Sequence, residues 1–143
     1  MENEALIGSL LQTWGTGGFD PSHPDCEANT KKFVAEDTVI DLTVKGYQSK
    51  HHNNFKVYHG HEGFKEMLAF LGLFEFLNFN VSFLAGQGDQ VVSIPTGTLK
   101  GKATGKVAEE TFTDVTVWKI RDGKVCGAKF FFGDAPGFDS VLA

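Results

Sequence analysis

The sequence is poor in cysteine, in proline and in positive charge. Its two cysteines, Cys26 and Cys126, stand far apart in 143 residues. That excludes a disulfide framework and any Cys-x-x-Cys metal knuckle, and two reduced thiols suit a reducing compartment. Thirteen Lys and Arg against 18 Asp and Glu give a net charge of −5. The basic stripe that nucleic acid requires is missing, so no nucleic-acid partner is expected. No apolar run reaches the roughly 18 residues of a membrane-spanning helix, so no membrane partner is expected either. The first residues, Met1 to Glu4, are acidic where a secretory leader would be basic. The expected location is cytoplasmic. With only four prolines, no repeat and no linker-like stretch, residues 1–143 read as one domain.

Phenylalanine and glycine are what the chain has in quantity, at 14 and 17 residues. Ile7, Leu10, Leu11 and Trp14 recur at helical spacing and predict a first helix ended by Gly15, Gly17 and Gly18. Ser22 and Pro24 open a second, expected to reach Ala35 with Phe33 on its buried side. Thr38 to Val44 is β-branched and reads as a strand. Residues 45–58, with His51, His52, Asn53 and Asn54 in a row, read as a long loop, a length that usually marks mobility or function. Phe64, Met67, Leu68 and Leu71 predict a third helix from Gly60 to Gly72. The period then falls to 2: Phe79, Val81 and Phe83 alternate with polar residues, and strands follow through Val92–Thr98, Thr111–Ile120 and Val125–Phe132. The hairpin Arg121-Asp122-Gly123-Lys124 joins the last two, and residues 133–143 read as a tail. Helices followed by a run of antiparallel strands give an α+β fold, with a curved sheet wrapped around about three N-terminal helices.

One strand raises a chemical question. In Thr111 to Ile120 one face carries Phe112, Asp114, Thr116, Trp118 and Ile120, and the other Val115 and Val117. The bulky set should face the core, and it includes a carboxylate. Desolvation would raise the pKa of Asp114, and nearby donors or cations would lower it. Such an acid can move a proton or hydrogen-bond a ligand oxygen. The alternative is an Asp near the rim, bonded to a backbone amide or paired with a lysine.

Three stretches carry a resemblance: Phe33 to Leu42, Tyr58 to Leu68, and Ala103 to Val125. In order and spacing they resemble the nuclear transport factor 2-like superfamily, which includes ketosteroid isomerase and SnoaL-like polyketide cyclases. The resemblance implies a cone: a curved antiparallel sheet around the helices, with an apolar pocket at the open end. It does not imply one chemistry, because the fold hosts enzymes, binding modules and assembly domains. The isomerase's two acidic positions fall on Leu42 and Thr116, and its tyrosine has no counterpart, since the only tyrosines are Tyr47 and Tyr58. The steroid isomerase triad is therefore absent.

The candidate catalytic residues are Asp114, with Thr116 as hydrogen-bonding partner, and more weakly His59, just before the third helix, and Asp41, which parity points away from the core. Trp14, Phe79, Phe83, Phe112, Trp118, Phe130 and Phe132 are the expected pocket walls. The four histidines between His51 and His61 lack a metal-type pattern, so no metal and no cofactor are expected. Cys126 shares parity with Ala128 and is expected to be a small core residue. Val115, Val117 and Phe131 leave an apolar strip on the outer face, where a homodimer is expected to form. The functional expectation is a domain that binds an apolar small molecule in its cone, open to cofactor-free isomerisation, cyclisation or dehydration. The alternative is a non-catalytic carrier or dimerisation domain.

Overall fold

The computed structural model describes residues 2–143. Helix α1 spans Glu2–Gly15 and buries Ile7 and Leu10, the centre of its apolar face. Helix α2 spans Cys26–Phe33 and carries Lys31 and Lys32 in its last turn, where cations suit the helix dipole. It is shorter than expected at both ends. Residues before Cys26 form turns, one of them held by the Asp20 carboxylate on the Ser22 amide at 2.9 Å. At Val34 the backbone turns extended, so strand β1, Val34–Asp41, begins four residues before the β-branched run. After a long loop come β2, Val57–His59, and α3, Gly60–Leu71, which buries Phe64, Met67, Phe70 and Leu71. The strands β3 (Phe74–Gln87), β4 (Gln90–Gly101), β5 (Phe112–Thr113), β6 (Val115–Arg121) and β7 (Lys124–Phe131) follow. The chain ends in α4, Ala135–Leu142, where the sequence suggested only a tail.

The sheet runs β2-β1-β7-β6-β4-β3, with β5 on β4. Each pairing is antiparallel except β1 with β7, which is parallel. The β6–β7 hairpin closes through Asp122 and Gly123, both at positive φ, as a tight two-residue turn demands. Irregular register marks β1, β3 and the β6–β7 pair. Such bulges bend and twist a strand, and they curl this sheet around the helices.

Two bulges in β3 also overturn a sequence expectation. Register slips between Leu77 and Asn80 and again between Val81 and Phe83. The alternation of Phe79, Val81 and Phe83 therefore does not keep one face. Phe83 lies opposite Ile94, on the outer side, and Phe79 and Phe83 are each 49 % exposed. Neither is a pocket wall. Cys126 is likewise not a core residue: the slip between Lys119 and Ile120 makes it the extra residue of a bulge, partly exposed, while Val125 and Ala128 are buried.

The interior is aromatic. Phe138 of α4, 1 % exposed, packs within 4.9–6.4 Å, centroid to centroid, of Phe74, Phe132, Phe55, Phe70 and Phe112. Those five rings come from β3, the end of β7, the long loop, α3 and β5. One side chain from the chain's end thus closes contacts between parts of the domain far apart in sequence. Phe138→Ala should cost about 3–5 kcal/mol. Urea unfolding is expected to show a lower midpoint with an unchanged m-value.

Candidate ligand site at the mouth of the cone

The long loop is built by short-range polar bonds. Asp41 Oδ1 accepts from the Thr43 amide at 2.8 Å and its hydroxyl at 2.6 Å, turning the chain out of β1. Gly46, at φ 76°, supplies the next reversal. Ser49 Oγ accepts from the amides of His51 and His52 at 3.2 and 3.1 Å. Tyr58 donates to the Asn54 carbonyl at 2.6 Å, and Phe55 enters the aromatic cluster. These bonds leave Tyr47, Ser49, the Lys50 amide and His52 on one side of the loop.

All four meet one carboxylate, that of Asp139 on α4, which is 5 % exposed. Ser49 donates to Oδ1 at 2.6 Å, Tyr47 donates to Oδ2, and the Lys50 amide reaches Oδ2 at 3.4 Å. His52 Nε2 lies 2.6 Å from Oδ1. That contact is close but poorly directed, and neither buried nitrogen of His52 has a well-formed hydrogen bond among the described residues. The His52 ring lies 5.1 Å from Phe70 and 5.6 Å from Phe55, at the edge of the aromatic interior. Tyr47, Gln48, Ser49, His52, Asn53 and Phe55 line a cavity of about 260 Å³.

The electrostatics follow from burial. Burial pushes the Asp139 carboxyl up, but the bonds from Ser49 and Tyr47 and the nearby His52 outweigh it and hold the group below its usual range. Burial, reinforced by Asp139, pushes the Tyr47 hydroxyl up to about 12, so it is a donor and not a base. Burial lowers the pKa of His52 more than Asp139 raises it, so the imidazole is neutral near pH 7. An anion and three donors thus surround one uncharged base.

The residues singled out in the sequence fall in several places. Phe112, Asp114, Thr116 and Trp118 are all buried on the inner face, and Val115 and Val117 point outward. Trp118 donates to Ser93 Oγ at 2.9 Å and stacks edge-on against Phe130 at 5.7 Å. Trp14, Phe130 and Phe132 are half-buried against the same core. Asp114 Oδ1 accepts from the Gly133 amide at 2.8 Å. Burial pushes its pKa up to about 6 against that bond, with Asp134 adding to the rise. His59 is exposed on β2 opposite Val39, on the outer side, so it does not reach the mouth. Asp41 is also outward, held by Lys129 Nζ at 3.2 Å. Two further cavities lie elsewhere. One of about 290 Å³ is bordered by Thr43–Lys45 and Lys129–Phe132, and one of about 370 Å³ by Glu2–Glu4 and Gly86–Gly88. Asp114 and Thr116 line none of the three.

His52 and Asp139 were not paired by sequence reasoning. The histidine stood in a loop already marked as unusually long. The carboxylate stood in a segment taken for a tail, although Asp134 followed by Ala135 and Pro136 is a helix-start pattern.

Asp114 makes stability depend on pH in a direction opposite to that of most carboxylates. Its folded pKa, about 6, lies above its ordinary 3.8, so the folded state holds the proton more tightly. Its contribution is complete below pH 3.8 and is lost as pH rises through 6. The loss is on the order of 3 kcal/mol for a two-unit shift. Asp114→Asn keeps an acceptor for Gly133 and removes the titration. In urea melts at pH 4 and pH 7, wild type minus variant should therefore fall by about that amount as pH rises. A difference independent of pH would contradict it.

No protein-family model matches the sequence, and no curated protein matches it. Solved structures do share its fold. An NTF2-like protein of unknown function from Burkholderia pseudomallei superposes with a TM-score of 0.75 at 14% identity, covering 100% of this chain and 99% of its own. A putative SnoaL-like polyketide cyclase from Jannaschia sp. CCS1 gives 0.72 at 16% identity, over 99% and 92%. TerC, co-crystallised with polyporic acid, gives 0.71 at 22% identity, over 99% and 98%. The chain has the nuclear transport factor 2-like fold, α+β, with the curved sheet around its helices.

Proposed function

We propose that this domain binds an aromatic small molecule at the mouth of its cone and moves a proton on it without a cofactor. His52 is the group that changes protonation, and Tyr47 and Ser49 hold the Asp139 carboxylate beside it. The observation that carries this reading is His52 itself: a buried, neutral imidazole with no well-formed hydrogen bond, at the wall of the 260 Å³ cavity beside Phe55 and Phe70. A neutral imidazole can accept a proton, the step that isomerisation, cyclisation or dehydration requires. Asp114, expected from sequence to take that role, has one oxygen committed to Gly133, and proton handling is assigned to His52 instead. The ligand held by TerC and the cyclase description of another neighbour lend support by likeness of fold.

The filled interior favours a second reading, a non-catalytic carrier. Phe138 occupies the space that an open enzyme pocket would leave free. Polyporic acid is a suitable first probe, with binding read by quenching of Trp14 and Trp118 and conversion read by chromatography. The enzyme reading predicts turnover that His52→Gln lowers about 10²–10⁴-fold while the melting temperature stays close to wild type. Binding without conversion in wild type would leave the carrier. No binding by any probe would remove the ligand site.

For assembly we propose a homodimer through the outer sheet face. Phe83 lies opposite Ile94, Val92 opposite Val117 and Val115 opposite Phe131, so apolar pairs cross four neighbouring strands. Phe131 is 51 % exposed in the single chain. A two-fold interface here should bury roughly 1,200–2,000 Å² in total. Light scattering is expected to give twice the chain mass for wild type and the single mass for Phe131→Glu. A monomeric wild type at micromolar concentration would contradict the proposal.

A further inference from the structure

Two consecutive side chains of α4 fill the mouth. Phe138 sits among five phenylalanine rings contributed by the rest of the domain. Asp139 receives the hydroxyls of Tyr47 and Ser49 and the amide of Lys50, with His52 Nε2 at 2.6 Å. The helix that carries them has little to hold it in shape alone. It is eight residues long and contains Pro136 and Gly137. Isolated helices of that length and composition are unstable in water. Its order comes from its seat. Asp114 holds the Gly133 amide, Thr104 donates to the Val141 carbonyl, and Lys106 donates to the Ala143 carbonyl. Under α4 lies Gly101, where a Cβ would come within 2.0 Å of the Val141 carbonyl oxygen.

Without α4, the mouth is a defined receptor. An aromatic slot walled by Phe55, Phe70, Phe74, Phe112 and Phe132 would adjoin a cluster of donors from Tyr47, Ser49 and Lys50, with His52 beside them. Burying those donors without an acceptor is costly, so whatever replaces α4 must bring one. We infer that Phe138 and Asp139 stand in for a ligand, and that the cone takes an aryl group bearing an anionic oxygen, a carboxylate or an ionised enol, when α4 leaves its seat. The helix is then a competitor tethered to the same chain. Affinity for the free ligand is reduced by the fraction of molecules in which α4 is seated. This rests on the reading that the mouth is a ligand site, and it adds the ligand's chemical class and the element that guards it.

The test uses the full chain and 3-phenylpropionate, with propionate and 3-phenylpropanol as probes lacking the ring or the charge. Hydrogen exchange is followed in residues 135–142 as the probe is added. Exchange there should speed up at saturation while residues 47–52 stay protected, and neither control should produce the effect. Gly101→Ala keeps every ring and donor of the mouth and obstructs the seat of α4 at the Val141 carbonyl and at the Thr104 hydroxyl that holds it. It should bind 3-phenylpropionate at least about tenfold more tightly than wild type. If that variant does not fold, the wild-type exchange arm decides. Binding of 3-phenylpropionate with α4 unchanged or more protected would overturn the inference and leave the ligand site standing. Equal affinity of a folded Gly101→Ala and wild type would overturn it too, as would equal affinity for the charged and uncharged aryl probes.

Discussion

The Asp139 carboxylate is the fixed point around which the open end of this cone is arranged. A buried anion is tolerated only when its lone pairs are occupied. Here the occupants come from a single loop: the hydroxyls of Tyr47 and Ser49 and the Lys50 amide, with His52 in contact. Ser49 is used completely, donating to Asp139 while accepting from two amides of its own turn. The loop therefore has one shape, and α4 has one seat. Loss of either partner leaves the other with unpaired buried groups.

The aromatic interior depends on the same clasp. Phe55 belongs to the loop and Phe138 to the helix, and each touches Phe70 and Phe132. Three of these contacts are edge-to-face, and each contributes about 0.5–1.5 kcal/mol beyond burial. Phe55 and Phe138 also meet each other at 5.9 Å, a ring contact that joins loop to helix directly. His52 shares this environment, with rings on one side and a carboxylate on the other, which is why it is neutral and buried together. The second carboxylate, Asp114, secures the start of the closing segment through Gly133. The two acids are pushed in opposite directions by their surroundings, Asp114 up to about 6 and Asp139 below its usual range. Burial raises both; Asp114 has one amide against it and Asp134 adding to it, while Asp139 has two hydroxyls, an amide and the nearby His52 against it.

Much of this was legible in the sequence, and the limits have physical causes. Alternation placed Phe112, Asp114, Thr116 and Trp118 inward because β5 and β6 keep one unbroken register against β4. It failed for Phe79 and Phe83 because bulges carry no sequence signature strong enough to be seen in a period of two, and each inserted residue reverses the face. Cys126 was misplaced by the same effect at the β6–β7 bulge. The parallel pairing of β1 with β7 joins residues about ninety apart in sequence, beyond what local pattern reports. The Asp139 cluster is the same kind of contact: His52 and Asp139 are each unremarkable locally, and only the fold brings them to 2.6 Å.

The mouth holds His52 as a buried, uncharged imidazole against an ionised Asp139. Nitrogen-15 NMR of the histidine side chains, titrated from pH 8 to pH 4, measures this directly. His52 is expected to be neutral at pH 7 and to take up its second proton at lower pH than an exposed histidine. A His52 that is already an imidazolium at pH 7, or one that titrates like a histidine in water, would contradict it.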